Sequence, residues 1–216
     1  MDSGALTRAG DFFARAGGRL TLDIPAGIAD PNVIPKRGDH DVDPVLKAIA
    51  DVRPIKPAAV LVPVVERDQP MVLLTQRTAH LTDHGGQVSF PGGKIDAGDK
   101  TPCDAALREA EEEIGLHRRF VEPIGYLDLY LTTRGYRIVP LVARVRPDFS
   151  LTLNRSEVDD AFEVPLAFVM ELTHHRRQSR DWNGMQRSYF EIVFGERKIW
   201  GVTAGILRNL HERVYA

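Results

Sequence analysis

Cysteine is almost absent from this sequence, since Cys103 is the single one among 216 residues. One cysteine excludes an intramolecular disulfide and argues against a cysteine-based zinc site. The chain also lacks an apolar run of the roughly 18 to 20 residues that cross a membrane as a helix. Its first residues, from Met1 to Arg15, lack the basic and apolar regions of a signal peptide. These absences predict a reducing compartment, a cytoplasmic location and no membrane partner.

An excess of charge of either sign is also missing, because 28 Lys and Arg residues stand against 30 Asp and Glu residues and the net charge is -2. Proteins that bind nucleic acid through many phosphates carry a basic excess. We therefore expect no nucleic-acid partner. Hydrophobic residues make up 43% of the chain, which is enough for a packed core, and the length suits one globular domain.

The composition of the chain changes near residue 55. Before this point Gly, Pro and Asp are frequent, and short helical patterns are limited to Gly10–Ala16 and Pro44–Val52. We predict that residues 1–55 form an N-terminal extension packed on or flanking a domain of residues 56–216. Covering the sheet, forming a homodimer contact and remaining mobile are all compatible with the Pro and Gly content of the extension.

After residue 55, short apolar runs alternate with turns. AAVLVPVV, which begins at Ala58, and MVLLTQR, which ends at Arg77, predict a hairpin. Further strands are predicted at Gln87–Phe90, Val121–Leu131, Tyr136–Val145, Ser188–Phe194 and Lys198–Trp200. Helices are predicted at Pro102–Ile114, Leu166–Leu172 and Thr203–Val214. Strands and helices that interleave in this uneven way predict an α+β fold, with helices packed on a mixed central sheet.

The best-defined helix, Pro102–Ile114, carries three glutamates on one side. Thr101 is a good N-cap for it. At about 100° per residue, Glu109, Glu112 and Glu113 fall together beside the apolar stripe of the helix, where their carboxylates repel one another. A cation relieves this repulsion, and oxygen ligands of this kind suit Mg²⁺ or Mn²⁺.

A bare acidic run is more often a solvated helix face than a metal site, but two neighbouring features favour the metal here. Arg108 directly precedes the glutamates and can orient them through hydrogen bonds. The glycine-rich segment FPGGKIDAGD, Phe90–Asp99, allows the backbone to approach a metal or a phosphate closely. The pattern therefore predicts a Mg²⁺ or Mn²⁺ site on this helix.

The segment GKIDAGDKTPCDAALREAEEEIGL, Gly93–Leu116, resembles the signature box of the Nudix hydrolases. That pattern is Gly, five residues, Glu, seven residues, then Arg-Glu-apolar-any-Glu-Glu-any-Gly-apolar. REAEEEIGL, from Arg108 to Leu116, matches the second half position by position. The first half differs, because the first Glu falls on Asp99 when counted from Gly93 and on Lys100 when counted back from Arg108. The loop therefore carries one extra residue, and the role of its acidic residue stays open.

This altered loop resembles that of the coenzyme A diphosphatase branch of the family. LLTQRTAHLTDHGGQVSFPGG, Leu73–Gly93, is similar to a second segment of that branch, and Asn154–Leu166 and Ile199–Leu207 are weaker matches. The resemblance implies an α/β/α sandwich that hydrolyses the diphosphate bond of coenzyme A or acyl-coenzyme A. The products are (acyl-)4'-phosphopantetheine and adenosine 3',5'-bisphosphate. A Nudix hydrolase of ADP-ribose or NADH, or a non-catalytic nucleotide-sensing module, is the alternative.

Within this resemblance, the metal is assigned to the glutamate helix. Glu109 and Glu113, one turn apart, are the principal ligands, and the carbonyl of Gly93 completes the shell. Glu112 is a further ligand or a base. Glu157, from outside the box, is a remote ligand or the general base, although an ordinary surface glutamate explains it equally well.

Contacts with the small-molecule substrate are assigned to four residues. Arg77 and Lys94 flank the box and Arg134 lies in the turn TTRGYR, where each is a candidate for a phosphate contact and each is also typical of an ordinary surface cation. Arg137 lies in the same turn. His84 precedes two glycines in the loop before the box, where it bonds a phosphate or caps the loop.

Overall fold

The structure, a computed structural model, describes residues 9–43, 46, 54–80, 85–182 and 184–216. Its helices are α1 (Ala9–Arg19), α2 (Pro102–Ile114), α3 (Leu166–Met170) and α4 (Val202–Tyr215). Its strands are β1 (Arg37–Gly38), β2 (Lys56–Val65), β3 (Met71–Arg77), β4 (Val88–Ser89), β5 (Gly92–Lys94), β6 (Val121–Tyr126), β7 (Tyr130–Leu131), β8 (Tyr136–Val145), β9 (Val158–Pro165), β10 (Arg176–Trp182), β11 (Met185–Phe194) and β12 (Arg197–Trp200). No helix among these residues is long and apolar enough to cross a bilayer. The helix predicted at Pro44–Val52 lies outside the described residues except for Leu46.

Nine of the described strands form one mixed sheet. Its order is β1-β7-β8-β2-β3-β4, while β5 pairs with β2, β6 with β8 and β9 with β3. β2 and β8 run parallel through all ten pairs from Lys56↔Tyr136 to Val65↔Val145. The predicted hairpin is real but small, because β2 meets β3 only at Val64↔Val72 and Val65↔Met71. Continuous apolar runs such as that of β2 are typical of strands buried on both faces, which explains its place at the centre of the sheet.

Each face of the sheet is covered. Helix α2 lies on one face and packs its buried Ala105, Ala106, Ala110 and Ile114 against Ala59, Leu61, Leu73 and Leu141. The other face carries α1, α3, α4 and the three-stranded sheet β10-β11-β12, which share a core with Val62, Val72, Leu74 and Val142. Burial of these apolar side chains is the main force that holds the layers together. The fold is α+β, with a mixed sheet between helices, as predicted.

One predicted strand is divided in the structure, and several observed strands were not predicted, among them β9 and β10. The run Val121–Leu131 is divided into β6 and β7 and does not form one strand. β9 was missed because its sequence VDDAFEVP contains three carboxylates and no apolar alternation, although it pairs with β3 over its length. β10 was missed because six of its seven residues, in RRQSRDW, are exposed. This strand is stabilised by its pairing with β11, and its sequence has no hydrophobic pattern from which a strand could be predicted.

The segment before β2 makes specific contacts with the sheet and with α4. Phe12 and Phe13 of α1 are buried in the core that includes α4. Asp39 accepts hydrogen bonds from the Tyr130 hydroxyl (3.1 Å) and the Thr133 N–H (2.8 Å). Burial raises the pKa of this carboxyl, against the effect of both hydrogen bonds. These contacts attach the segment to the strand and turn that precede β8.

Phe12→Ala should therefore lower the free energy of unfolding by about 3 to 5 kcal/mol, since Phe12 is 0% exposed and its removal leaves a cavity. Urea unfolding of the full chain measures this. Leu22→Ala is the matched control, because Leu22 lies in the same segment but is 50% exposed; we expect its effect to stay within about 0.5 kcal/mol. Equal effects of the two substitutions would contradict the packing of α1.

Candidate active site

Capping residues at both ends determine where helix α2 begins and ends. The Thr101 hydroxyl accepts the Asp104 N–H (3.1 Å), and the Asp104 carboxylate accepts the Thr101 N–H (3.0 Å), which forms a reciprocal capping box. Gly115 ends the helix with φ 68°, in the left-handed region that favours glycine. The predicted bounds of this helix are confirmed, and its glutamates have the predicted one-turn spacing.

Arg108 is the centre of an ion-pair network at the start of the acidic run. Its guanidinium donates two hydrogen bonds to Asp99, from Nε (3.1 Å) and Nη2 (3.0 Å). Nη1 donates to Glu109 (2.9 Å) and to Glu112 (3.0 Å), and Nη2 also donates to the Lys94 carbonyl (3.2 Å). These bonds raise the pKa of Arg108 and lower that of Asp99. Arg108 thus connects the loop before α2 to Glu109 and Glu112, two of the three candidate metal ligands of that helix.

Glu113 is the most enclosed of the three glutamates, with 4% of its surface exposed. Its Oε2 accepts the Gly92 N–H (3.2 Å), and its Oε1 lies 3.9 Å from Nη1 of Arg77. Burial raises the pKa of Glu113 to about 7, and the nearby Glu109 and Glu157 carboxylates act in the same direction. The hydrogen bond and the arginine only partly offset these effects, so the site favours a further positive charge.

Glu109 lies against the backbone of β5. A Cβ placed on Gly93 would lie 2.5 to 2.6 Å from the carboxylate atoms of Glu109, so no larger residue fits there without displacing it. Burial raises the pKa of Glu109, and the carboxylates of Glu112 and Glu157 add to this effect, while Arg108 opposes it. Glycine at this position therefore allows the main chain to approach the acidic helix closely.

Glu157 comes to the same place from a different part of the chain. It lies in the turn before β9, and β9 pairs with β3 so that Val158 is opposite Arg77. Asn154 Nδ2 donates to its Oε1 (3.1 Å), and the Thr78 N–H donates to its main-chain carbonyl (2.9 Å). Glu157 interacts electrostatically with both Glu109 and Glu113. The pairing of β3 with β9 thus places the carboxylate of Glu157 near those of Glu109 and Glu113.

Glu112 differs from the other glutamates, because its side chain is 58% exposed and points to the solvent side of the helix with Arg108 as its partner. Among the described residues, no three His, Cys, Asp or Glu side chains stand together at metal-ligand spacing. Arg108 holds Glu109 and Glu112 by a common nitrogen.

The donor set nevertheless fits a divalent cation. The carboxylate of Glu113 is buried and that of Glu109 is half-buried, and partial loss of water, together with the charge of the neighbouring carboxylates, raises the pKa values of both. The buried Nε of Arg77 has no hydrogen-bond partner within the described parts of the chain, so the site also has a place for an acceptor oxygen. Carboxylate oxygens are ligands that Mg²⁺ and Mn²⁺ prefer.

The predicted substrate contacts have different surroundings. Arg77 faces Glu113. Lys94 is exposed and directly follows Gly93, and Arg134 is exposed in the turn before β8. His84 lies outside the described residues. Arg137 has another role, because its buried guanidinium donates to the main-chain carbonyls of residues 27 and 30 and so binds the N-terminal segment.

Two residues of the site were not assigned from sequence. Asp99 pairs with Arg108 through both carboxylate oxygens, which settles which residue of the lengthened loop faces the arginine. Gly92 presents its N–H to Glu113, and its φ of 152° together with the close Ala59 carbonyl leaves no room for a side chain. The adjacent glycines in FPGGK were the available signal for this second contact.

Comparisons of the sequence with a family model and with individual proteins agree with each other. The family model described as the NUDIX domain matches residues 55–183. The protein named "Uncharacterized Nudix hydrolase NudL" from Escherichia coli strain K12 is 42% identical over 157 residues, which cover 71% of this chain and 80% of the relative. Its counterpart from E. coli O7:K1 has the same identity and coverage.

Among solved structures, a C. elegans Ap4A hydrolase in a binary complex has 22% identity and a TM-score of 0.42, covering 50% of this chain and 80% of that chain. The MutT protein from Methanosarcina mazei Go1 has 18% identity and a TM-score of 0.44, covering 55% and 83%. The family-model match and the 42% identity to NudL show that this chain belongs to the Nudix family, whose hydrolases act on diphosphate-containing substrates and generally use a divalent cation.

Proposed function

We propose that this protein hydrolyses the diphosphate bond of coenzyme A or acyl-coenzyme A. The observation that carries the proposal is the placement of Glu109 and Glu113 beside the Gly92–Gly93 backbone, with Glu157 close enough to interact electrostatically with both. This backbone ends the segment Leu73–Gly93, which resembles the coenzyme A diphosphatase branch. The site is therefore connected directly to the part of the sequence that favours this substrate.

Glu109 and Glu113 would hold Mg²⁺ or Mn²⁺, with Glu112 and the Gly93 carbonyl as further ligands. When bound, the cation neutralises phosphate oxygens and lowers the pKa of a bound water. Arg108 positions Glu109 and Glu112 through its shared Nη1, and Asp99 holds the guanidinium from the opposite side. Since Arg108 touches the ligands and not the reacting atoms, its role is to position them.

In the reaction, the oxygen of water bonds to one phosphorus, the bond between that same phosphorus and the bridging oxygen breaks, and the bridging oxygen leaves on the other phosphate. The water proton goes to a carboxylate, for which Glu157 is the first candidate, because it lies near both Glu109 and Glu113 and forms no ion pair with a cation in the described parts of the chain. Glu112 is the second candidate. The two products are (acyl-)4'-phosphopantetheine and adenosine 3',5'-bisphosphate.

Positive side chains around the carboxylates would bind the phosphates. Arg77 is the best placed, since it reaches Glu113 and its buried Nε lacks an acceptor among the described residues. Lys94 and Arg134 are further candidates from the edge of the sheet, and His84 stays a prediction from sequence. A cytoplasmic location, a homodimer and the division of the chain at residue 55 also stay predictions.

Steady-state kinetics on separate substrates tests the proposal. With Mg²⁺ present, kcat/KM for coenzyme A should exceed that for ADP-ribose and for NADH by at least about tenfold, a difference of about 1.4 kcal/mol in transition-state binding. A higher kcat/KM for ADP-ribose or NADH would assign another substrate to the same site. Nucleotide binding without turnover of any of the three would favour a sensing module.

A further inference from the structure

The turn before β9, residues 154–157, connects the end of α2 to Glu157 through the main chain of Asn154. A helix leaves its last carbonyl groups without partners inside the helix. At the end of α2, the Glu113 carbonyl accepts the Asn154 N–H (2.9 Å). The Asn154 carbonyl accepts the N–H groups of Glu157 and Val158, each at 2.9 Å. Asn154 therefore fixes the main chain of Glu157 relative to a principal metal ligand of the helix.

The side chain of Asn154 has a defined orientation. Its Oδ1 accepts two hydrogen bonds from Ser156, one from the main-chain N–H (3.2 Å) and one from Oγ (2.6 Å). Its Nδ2 donates to Oε1 of Glu157 (3.1 Å). The reverse orientation of the amide would place its NH2 group against the Ser156 N–H and its oxygen against the Glu157 carboxylate. Ser156 thus holds the amide so that its donor faces Glu157.

This hydrogen bond acts against the repulsion that Glu157 meets in the site. The carboxylate of Glu157 interacts with those of Glu109 and Glu113, and all three carry the same charge. Like charges at this distance favour a rotamer that moves the side chain away from them. A hydrogen bond to an ionised acceptor is about twice as strong as one between neutral groups. The Asn154 amide therefore keeps the carboxylate of Glu157 near the glutamates of α2.

We propose that Asn154 is a positioning residue for diphosphate hydrolysis, which holds the Glu157 carboxylate where it accepts the proton of the attacking water. This role rests on the proposed function, in which Glu157 is the first candidate for the base. Asn154 acts through Glu157 and not on the reacting atoms. A displacement of about 1 Å in a site can lower the rate by about 100-fold, so the loss of this one hydrogen bond should have a large effect.

Asn154→Asp tests this role, because the aspartate keeps the shape of the side chain and the oxygen that Ser156 binds but loses the donor to Glu157. With coenzyme A and Mg²⁺, it should lower kcat by about 10- to 100-fold and change KM by less than about twofold. In a Glu157→Gln background, Asn154→Asp should change kcat by less than about twofold, since no carboxylate remains to be positioned. Arg155→Met is the matched control, because Arg155 is an exposed residue of the same turn, and it should change neither kcat nor KM. A loss of kcat of the same size in both backgrounds, or an unchanged kcat in Asn154→Asp, would overturn the role of Asn154.

Stability without metal gives a second measurement, which does not depend on activity. In chelator at about pH 8, Asn154→Asp should lower the urea midpoint, because two ionised carboxylates then face each other. In the Glu157→Gln background it should leave the midpoint nearly unchanged, because the amide introduced at position 157 can donate to the aspartate. This pattern in a protein that leaves coenzyme A intact would sink the proposed function and support the contact by which Asn154 positions Glu157. Equal decreases of the midpoint in both backgrounds would overturn that positioning even in an active enzyme.

Discussion

Glu109→Gln should lower kcat for diphosphate hydrolysis by a factor of about 10² to 10⁴ while the protein stays folded. The amide keeps the shape of the side chain beside Gly93 but removes the negative charge that a cation needs. Glu113→Gln should have an effect of the same size, because it removes the other principal ligand. Initial rates at saturating coenzyme A and Mg²⁺ measure both variants.

Glu111→Gln is the matched control for these two variants. Glu111 lies on the same helix, is 40% exposed at its side chain, and faces His117 and Arg118 instead of β5. The substitution Glu111→Gln should change kcat by less than about twofold, as expected for a surface residue far from the reacting atoms. If Glu109→Gln kept the activity of Glu111→Gln, the assignment of the metal to α2 would be wrong.

In the presence of a chelator, Glu113→Gln should be more stable than the wild-type protein at neutral and higher pH. The pKa of Glu113 is raised to about 7 in the folded state from an ordinary value of 4.5. The folded state therefore holds a proton that the unfolded state loses, and wild-type stability falls as the pH rises from about 4.5 to about 7. Glu113→Gln has no carboxyl to titrate at this position and does not lose stability in this way. We expect its free energy of unfolding to exceed that of the wild type by about 1 to 3 kcal/mol near pH 8, and this difference should disappear near pH 5.

Urea unfolding at the two pH values, with chelator, measures this difference. Adding excess Mg²⁺ should then raise the stability of the wild-type protein but leave that of Glu113→Gln nearly unchanged, since a ligand stabilises only the state that binds it. A variant that is less stable than the wild type near pH 8 would show that Glu113 has a structural role and that its burial is compensated.

Local chemistry explains which elements were predictable. The bounds of α2 follow from Thr101, Pro102 and Gly115, which act within one turn of the helix ends. β8 was equally clear, because its apolar run is bounded by the Gly135 turn and matches the structure from Tyr136 to Val145. β9 and β10 depend on pairing with distant strands, and neither has a hydrophobic pattern of its own that predicts it.

In the site, too, features that depend on local sequence could be predicted, and features that depend on distant strand pairing could not. The spacing of Glu109 and Glu113 is a property of the helix and could be deduced from the sequence. The position of Glu157 could not, because it depends on the pairing of β3 with β9. Asp99 is intermediate: counting residues left Asp99 and Lys100 as alternatives for the first acidic position of the box, and the path of the loop places Asp99 against Arg108.

Coenzyme A followed by ³¹P NMR in the presence of the protein tests the proposed hydrolysis most directly. With Mg²⁺, the diphosphate resonances should disappear, and phosphomonoester resonances of 4'-phosphopantetheine and adenosine 3',5'-bisphosphate should replace them. Excess chelator should stop this change, and Glu109→Gln should not produce it. Diphosphate resonances that persist with Mg²⁺ or Mn²⁺, or hydrolysis that continues unchanged in chelator, would contradict metal-dependent hydrolysis of coenzyme A at the glutamates of α2.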